Sequence, residues 1–316
     1  MSPDRTRLAT SACERKKVLT GLALATCGAI AFSGKAIIVK LAYRHGVDAV
    51  TLIMYRMLFA LPIFAAMAWW ATYKQGGTRK PALTRRDWIG VLGLGVSGYY
   101  LASFLDFAGL AYISASLERL ILYLNPTLVL LLGWVLYGRR ITRLQALGMA
   151  ISYVGVVLVF GHEIKLEGTQ AAWGALLVFL SAISYAIYLV YSGELVQRLG
   201  SIRLVGMATT VACLLCILQF VLLRPLSAAQ VATPVLWLSL LNATACTAVP
   251  VLMVMMAIER IGSGLAAQTG MVGPMSTILM GVLILGEPFT AWVAAGTALV
   301  ISGIFVFTSA GRQASR

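Results

Sequence analysis

Long apolar stretches separated by short polar breaks dominate this chain. They run from Val18 to Val39, Ala49 to Tyr73, Trp88 to Ala111, Ile113 to Tyr137, Leu144 to Phe160, Ala171 to Tyr191, Leu204 to Leu223, Pro234 to Ile258, Leu265 to Leu285 and Thr290 to Ser309. A bilayer core of about 30 Å asks for about 20 apolar residues of helix at ~1.5 Å each, so the pattern predicts ten transmembrane helices and an all-α integral membrane protein. The third and fourth stretches are separated only near Tyr112, where Ser114-Ala115-Ser116 predicts a tight turn; fused, they would far exceed one span. The first stretch is longer than a signal-peptide core of about 7 to 15 residues, so it predicts a retained anchor behind a polar leader, 1–17.

Composition agrees, because 60% of the 316 residues are hydrophobic and 11% charged, which leaves a soluble fold too little polar surface. Mean hydropathy is +0.88. The net charge of +14 could suggest nucleic acid, but Lys and Arg fall in short runs between apolar stretches and form no basic face. Counted on alternate sides of ten spans, eighteen of the 25 Lys and Arg lie on one side, four on the other (Lys40, Arg44, Lys165, Arg224) and three inside spans. Positive loops stay cytoplasmic, so both termini are expected there, in a multi-pass bacterial inner membrane protein. Cys213 and Cys216 form a CxxC spacing without His or acidic company in an apolar stretch, which reads as packing rather than metal or redox chemistry.

A shift of 148 residues lays Pro126 on Pro274, Gly133 on Gly281, Gly138 on Gly286, Gly148 on Gly296 and Gly155 on Gly303. The coincidence predicts an internal repeat. Each half would hold an odd five helices, 18–160 and 171–309 around an external linker 161–170 and before a cytoplasmic tail 310–316, so the halves would enter the membrane from opposite faces. Inverted repeats are typical of secondary transporters. The Gly148/Gly155 and Gly296/Gly303 stripes predict close helix contact.

The residues Leu124-Asn125-Pro126-Thr127, Leu131-Leu132-Gly133, Tyr137-Gly138-Arg139-Arg140, Gln145, Gly148 and Gly155-Val156, with Gly273-Pro274, Leu285-Gly286-Glu287-Pro288, Gly296 and Gly303, form a pattern over nearly the whole chain. It resembles the drug/metabolite transporter superfamily, in its EamA-type branch of ten-helix bacterial carriers. The first-half loop reads Gly-Arg-Arg where that branch usually has Gly-Glu. The resemblance implies a central cavity lined by helices one to four and six to nine, helices five and ten at the periphery, and export of amino acids, drugs or other metabolites.

Charge inside a bilayer costs about 2.5 to 3.5 kcal/mol per residue on insertion scales, so each intramembrane charge asks for a reason. Lys35, Arg56, Asp106, Glu118 and Arg119 all fall at about 8 to 12 Å from the expected outer ends of their stretches. One reading is structural: Lys35 snorkels, or pairs with Asp106, while Arg56 pairs with Glu118. The other is functional, with three cations against two carboxylates leaving one positive charge for an anionic solute group and a carboxylate free to load a proton. Pro126 and Pro274 interrupt helices at matching places, as broken helices do at midplane sites, with Asn125 and Gly273 beside them. Tyr99, Tyr100, Tyr123, Tyr185, Tyr188, Gln268 and Thr269 add polar tips near that depth, and Trp69 and Trp70 read as interface anchors.

His45 and His162 lie far apart in expected outer loops, and no GxSxG, HExxH or P-loop is present, so no catalytic group, metal or cofactor is implied. The reading is a secondary transporter of a small-molecule solute by alternating access. Proton coupling through Glu118 or Asp106, exchange and facilitated diffusion are all allowed. A membrane-embedded enzyme acting on a lipid or lipid-linked substrate is the alternative, and a purely structural membrane partner fits five buried charges poorly. No nucleic acid partner is expected, and the sequence leaves a homodimer open.

Overall fold

The computed structural model describes residues 3–73, 83–138, 141–269 and 272–314. Among these residues the chain is helical, without strands. The helices are α1 (Pro3–Tyr43), α2 (Ala49–Tyr73), α3 (Arg85–Leu110), α4 (Ala115–Tyr137), α5 (Arg143–Glu167), α6 (Thr169–Leu199), α7 (Ser201–Leu223), α8 (residues 233–269), α9 (Val272–Leu285) and α10 (Ala291–Ala314). Eight, from α1 over Lys17–Tyr43 to α8 over Thr233–Val254, are long and apolar enough to cross a membrane; α9 and α10 are shorter apolar helices over the described residues.

Local chemistry sets most boundaries. Thr84 and Asp87 form a capping box at the start of α3, and Thr142 and Gln145 form one at the start of α5. The turn near Tyr112 ends at Ser114, whose hydroxyl accepts from the Leu117 amide and opens α4. Gly138 and Gly286 close α4 and α9 at φ +63° and +72°, a region open to glycine without strain.

Two expected loops are helical. The stretch 161–170 is helix except at Gly168, because its polar residues extend α5 past its apolar part rather than stopping it. The polar break after Ile258 is also absent, and α8 continues to Thr269, since Glu259 and Arg260 are good helix formers and polarity alone does not end a helix. The leader too is helical from Pro3, continuous with α1.

Three π-helical turns interrupt the spans: Gly95–Leu101 in α3, Thr244–Ala248 in α8 and Gly281–Leu285 in α9. The Ser184 hydroxyl on α6 donates to the Ser97 carbonyl at 2.8 Å and Ser181 to the Ala102 carbonyl at 2.6 Å, so α6 supplies donors to the irregular part of α3. A Cβ on Gly148 would sit 2.6 Å from the Gly303 carbonyl, and one on Gly155 2.7 Å from the Gly296 carbonyl, so α5 and α10 touch backbone to backbone along both stripes. Large apolar side chains such as Val135, Leu222, Leu283 and Trp237 are exposed, whereas the charged side chains Lys35, Arg56, Asp106, Glu118 and Arg119 inside the spans are buried. That inversion of the soluble pattern suits a lipid solvent.

Candidate functional site

The five intramembrane charges come from α1 (Lys35), α2 (Arg56), α3 (Asp106) and α4 (Glu118, Arg119), and each is at most 7% exposed. Lys35 Nζ lies 2.5 Å from Asp106 Oδ2 and 3.4 Å from Glu118 Oε1, so it turns inward to two carboxylates and does not snorkel. Arg119 Nε stands 4.0 Å from Glu118 Oε2 and donates to Thr277 Oγ1 of α9 at 2.9 Å.

The expected pairing of Arg56 with Glu118 is not formed. Arg56 instead donates from Nε and Nη2 to Thr247 Oγ1, at 3.3 and 3.2 Å, and lies 5.1 Å from the Phe107 ring centroid. The physical reason is competition: Glu118 already faces Lys35 and Arg119, while the π-helical turn of α8 turns Thr247 toward Arg56. Asp106 Oδ1, both Glu118 oxygens and Arg56 Nη1 make no hydrogen bond among the described residues. Buried groups left so are high in free energy and available to a ligand or a proton.

The proline segments approach the same place. Helix α4 breaks after Leu122 and resumes at Asn125, with Pro126 in its first turn, where the missing N–H is harmless. Pro274 lies in the first turn of α9. A Cβ on Gly273 would come within 3.2 Å of Ser33 Oγ and 3.9 Å of Tyr123 Oη, so α1, the α4 break and α9 converge. The Gly273 carbonyl is occupied, accepting from Ser33 Oγ at 2.7 Å and Thr277 Oγ1 at 3.3 Å. Asn125 Oδ1 is buried and accepts no hydrogen bond among the described residues.

Tyr99 and Tyr185 are brought elsewhere. Both pack on Tyr188 at the α3–α6 contact, with ring centroids 5.3 and 5.5 Å away, and the Tyr99 and Tyr188 hydroxyls are 3.5 Å apart. The side chain of Gln268 lies outside the described residues.

Sequence reasoning missed a set of ties at the end of the bundle expected to face outward. Glu287, in the turn after α9, accepts from the Ala115 amide at 2.7 Å and from the Ser116 amide and hydroxyl at 3.3 and 2.8 Å. Glu163 of α5 accepts from the Ser114 amide at 3.3 Å and from its hydroxyl. Carboxylates there meet the free N–H groups and positive end of α4. Arg44 donates to the Leu285 carbonyl at 2.6 Å, and Arg224 pairs with Asp48 at 3.0 Å. A cavity of about 450 Å³ lies among Tyr43, Arg44, Ser116, Glu163 and Glu287. The Gly286-Glu287-Pro288 pattern was visible in the sequence, but its partner, 171 residues away, was not.

At the opposite end, Asp87 pairs with Arg198 at 3.0 Å beside a cavity of about 560 Å³ between α3 and α6. The burial of charge at the junction of apolar helices fits a membrane protein that handles polar solutes, and comparison with known proteins decides the lineage. A profile of the EamA-like transporter family matches residues 19–161 and again 172–309. The chain belongs to the EamA-like transporter family.

Within the drug/metabolite transporter superfamily that contains this family, the chain is 30% identical over 284 residues to the "Uncharacterized transporter YcbK" of Bacillus subtilis (strain 168), covering 86% of this chain and 87% of that one. It is 22% identical over 288 residues to an "Uncharacterized transporter" of Archaeoglobus fulgidus, covering 89% and 95%. A crystal structure superposes with a TM-score of 0.62 at 19% identity over 96% of this chain and 99% of that one, a likeness of fold. This EamA-like chain is a multi-pass membrane transporter, and its family implies passage of a small solute across a bilayer.

Proposed function

We propose that the chain is a secondary carrier, working in a bacterial inner membrane with both termini cytoplasmic, that exports a small metabolite, amino acid or drug-like solute by alternating access. The observation that carries this reading is the buried cluster of Lys35, Asp106, Glu118 and Arg119, which is held between α1, α3, α4 and α9 with three carboxylate oxygens that accept no hydrogen bond among the described residues. Such a cluster in an apolar bundle is costly and marks a solute or ion path. Arg56, Tyr123 and Asn125 border the same junction, while Tyr99 and Tyr185 act through the packing of α3 on α6.

Ten spans in two inverted five-helix halves are the frame of this reading. Its support is reciprocal: Gly148 meets Gly303 while Gly155 meets Gly296, which is the exchange that a two-fold relation between positions 148 residues apart would produce. The π-helical turn of α3, shifted by 148, falls on residues 243–249, and α8 has its own π-helical turn at Thr244–Ala248. The closing glycines Gly138 and Gly286 are related by the same shift. In this frame Glu287, Arg44 and Arg224 each join one half to the other, so the outer end is shut, and release of those ties opens it.

Glu118 is the group proposed to take up a proton, since it is fully buried and, among the described residues, neither oxygen accepts a hydrogen bond, its two cations standing at 3.4 and 4.0 Å. Solute flux into or out of proteoliposomes, with and without a pH gradient, tests the carrier and its coupling. Flux driven by the gradient in the wild type and independent of it in Glu118→Gln is expected; flux indifferent to the gradient removes the proton, and conversion of a lipid in place of solute movement removes the carrier.

A further inference from the structure

We infer that the transported solute bears a carboxylate and that Arg56 is the residue that holds it. The inference rests on the carrier reading above and adds the chemistry of the solute. Of the five intramembrane charges, Lys35 has two carboxylates and Arg119 has one within 4.0 Å, and these four groups balance as two cations against two anions. Arg56 is 5% exposed and, among the described residues, has no carboxylate within that distance. It is the one cation of the five without an ion pair, and the five groups together carry one net positive charge.

The contacts of Arg56 hold the side chain without neutralising it. Thr247 Oγ1 gives its own proton to the Asn242 carbonyl at 2.8 Å, so toward Arg56 it is a neutral acceptor. Phe107 covers one face of the guanidinium at 5.1 Å. What remains is the edge that carries Nη1, a buried donor with no acceptor. A guanidinium fixed along one edge and covered on one face presents its other edge as a planar fork, which a carboxylate matches with two parallel hydrogen bonds.

Charge count selects a monoanion. A single carboxylate brings the five-charge cluster to neutrality, whereas a phosphate monoester, at about −1.5 to −2, would overshoot. The position also suits a carrier, because Arg56 on α2 and Thr247 on α8 belong to different halves of the chain. Movement of one half against the other changes the support of the guanidinium, and with it the grip on the anion.

The test uses the full chain in proteoliposomes and in detergent, with a panel of small carboxylic acids of aliphatic, aromatic and amino-substituted type, each matched to its primary amide. A charge-assisted contact in place of a neutral one predicts that the accepted acid is moved at least about tenfold faster than its amide and raises the unfolding midpoint where the amide does not. Arg56→Gln is expected to erase both differences. Arg56→Lys should keep the preference for acids with weaker binding, and Thr247→Val, which leaves the charge in place, should keep it too, so loss through misfolding is told apart from loss of the charge. Equal handling of acids and amides by the wild type, or an acid preference that survives Arg56→Gln, overturns the inference and leaves the carrier standing. Absence of flux for every compound, with both variants folded, overturns the carrier reading and this inference with it.

Discussion

Replacing Glu287 by Gln removes one charge and one acceptor from a group that receives three hydrogen bonds, from the Ala115 amide, the Ser116 amide and the Ser116 hydroxyl. The amide oxygen of Gln can keep either the one bond made to Oε1 or the two made to Oε2, while its NH₂ faces the remaining donors. The side chain is half-buried, so each lost charge-assisted bond is taken near the low end of about 1.5 to 3 kcal/mol, and the interaction with the α4 terminus adds about 0.3 to 1 kcal/mol. Allowing for water that replaces part of this, the tie weakens by about 1 to 2 kcal/mol. If the tie holds the outer end shut, the open population rises about 5- to 30-fold.

The assay is the rate at which a membrane-impermeant thiol reagent, added outside, labels the Ser33→Cys variant of a chain whose native cysteines are replaced by Ala. Ser33 is 1% exposed and sits beneath the charge cluster, donating to Gly273, so reagent reaches it only through an opening. Labelling that follows the open population should speed up by the same factor in Glu287→Gln. Equal rates in the two chains would refute the argument, because Glu287 would then be tying two elements that never part.

Three further outcomes are expected. Gly155→Ala places a methyl group 2.7 Å from the Gly296 carbonyl and should destabilise the protein by about 1 to 3 kcal/mol, read as a lower unfolding midpoint in detergent. Gly161→Ala on the same helix meets nothing within 4 Å and should be neutral or stabilising by up to about 1 kcal/mol. Burial raises the Asp48 carboxyl, but hydrogen bonds from Thr51 and Arg224 and the Arg224 charge outweigh it, so its pKa is below the usual value. The depressed pKa means that its stabilisation is complete above the unfolded value, near 4, and is lost as pH falls through the lower folded one. Acid titration of the unfolding midpoint should therefore show a component that Asp48→Asn lacks.

The helical segments were legible because lipid imposes a length rule: apolar residues must run far enough to cross, and the polar breaks are short. Ala49–Tyr73 coincides with the predicted second segment to the residue, and the turn near Tyr112 lies where Ser114 can cap a helix. The rule failed where polarity was taken for a break, at 161–170 and after Ile258, because charged residues continue a helix once it has left hydrocarbon. That Lys35, Arg56, Asp106, Glu118 and Arg119 carry charge inside the apolar stretches was also readable, whereas the burial of Asp87, Glu163 and Arg203 near the stretch ends was not. Nor was the pairing of the five. Lys35 found Asp106 as expected, but Arg56 went to Thr247, and nothing along the chain tells which of several charges at one depth share a side of the bundle.

The sequence by itself determined that the chain lives in a bilayer, that glycines and a proline recur at a spacing of 148 residues, and that five charges and two prolines break the apolar pattern. These follow from local transfer free energies and spacing, which need no knowledge of neighbours. Tertiary structure alone decided that Glu287 caps α4, that Tyr99 and Tyr185 pack on Tyr188 away from the charges, and that Arg56 makes no ion pair among the described residues. Those facts depend on helix rotation and register, set by backbone contacts such as Gly148 on Gly303 and by the π-helical turns, and an angular shift of one helix would redraw every one of them.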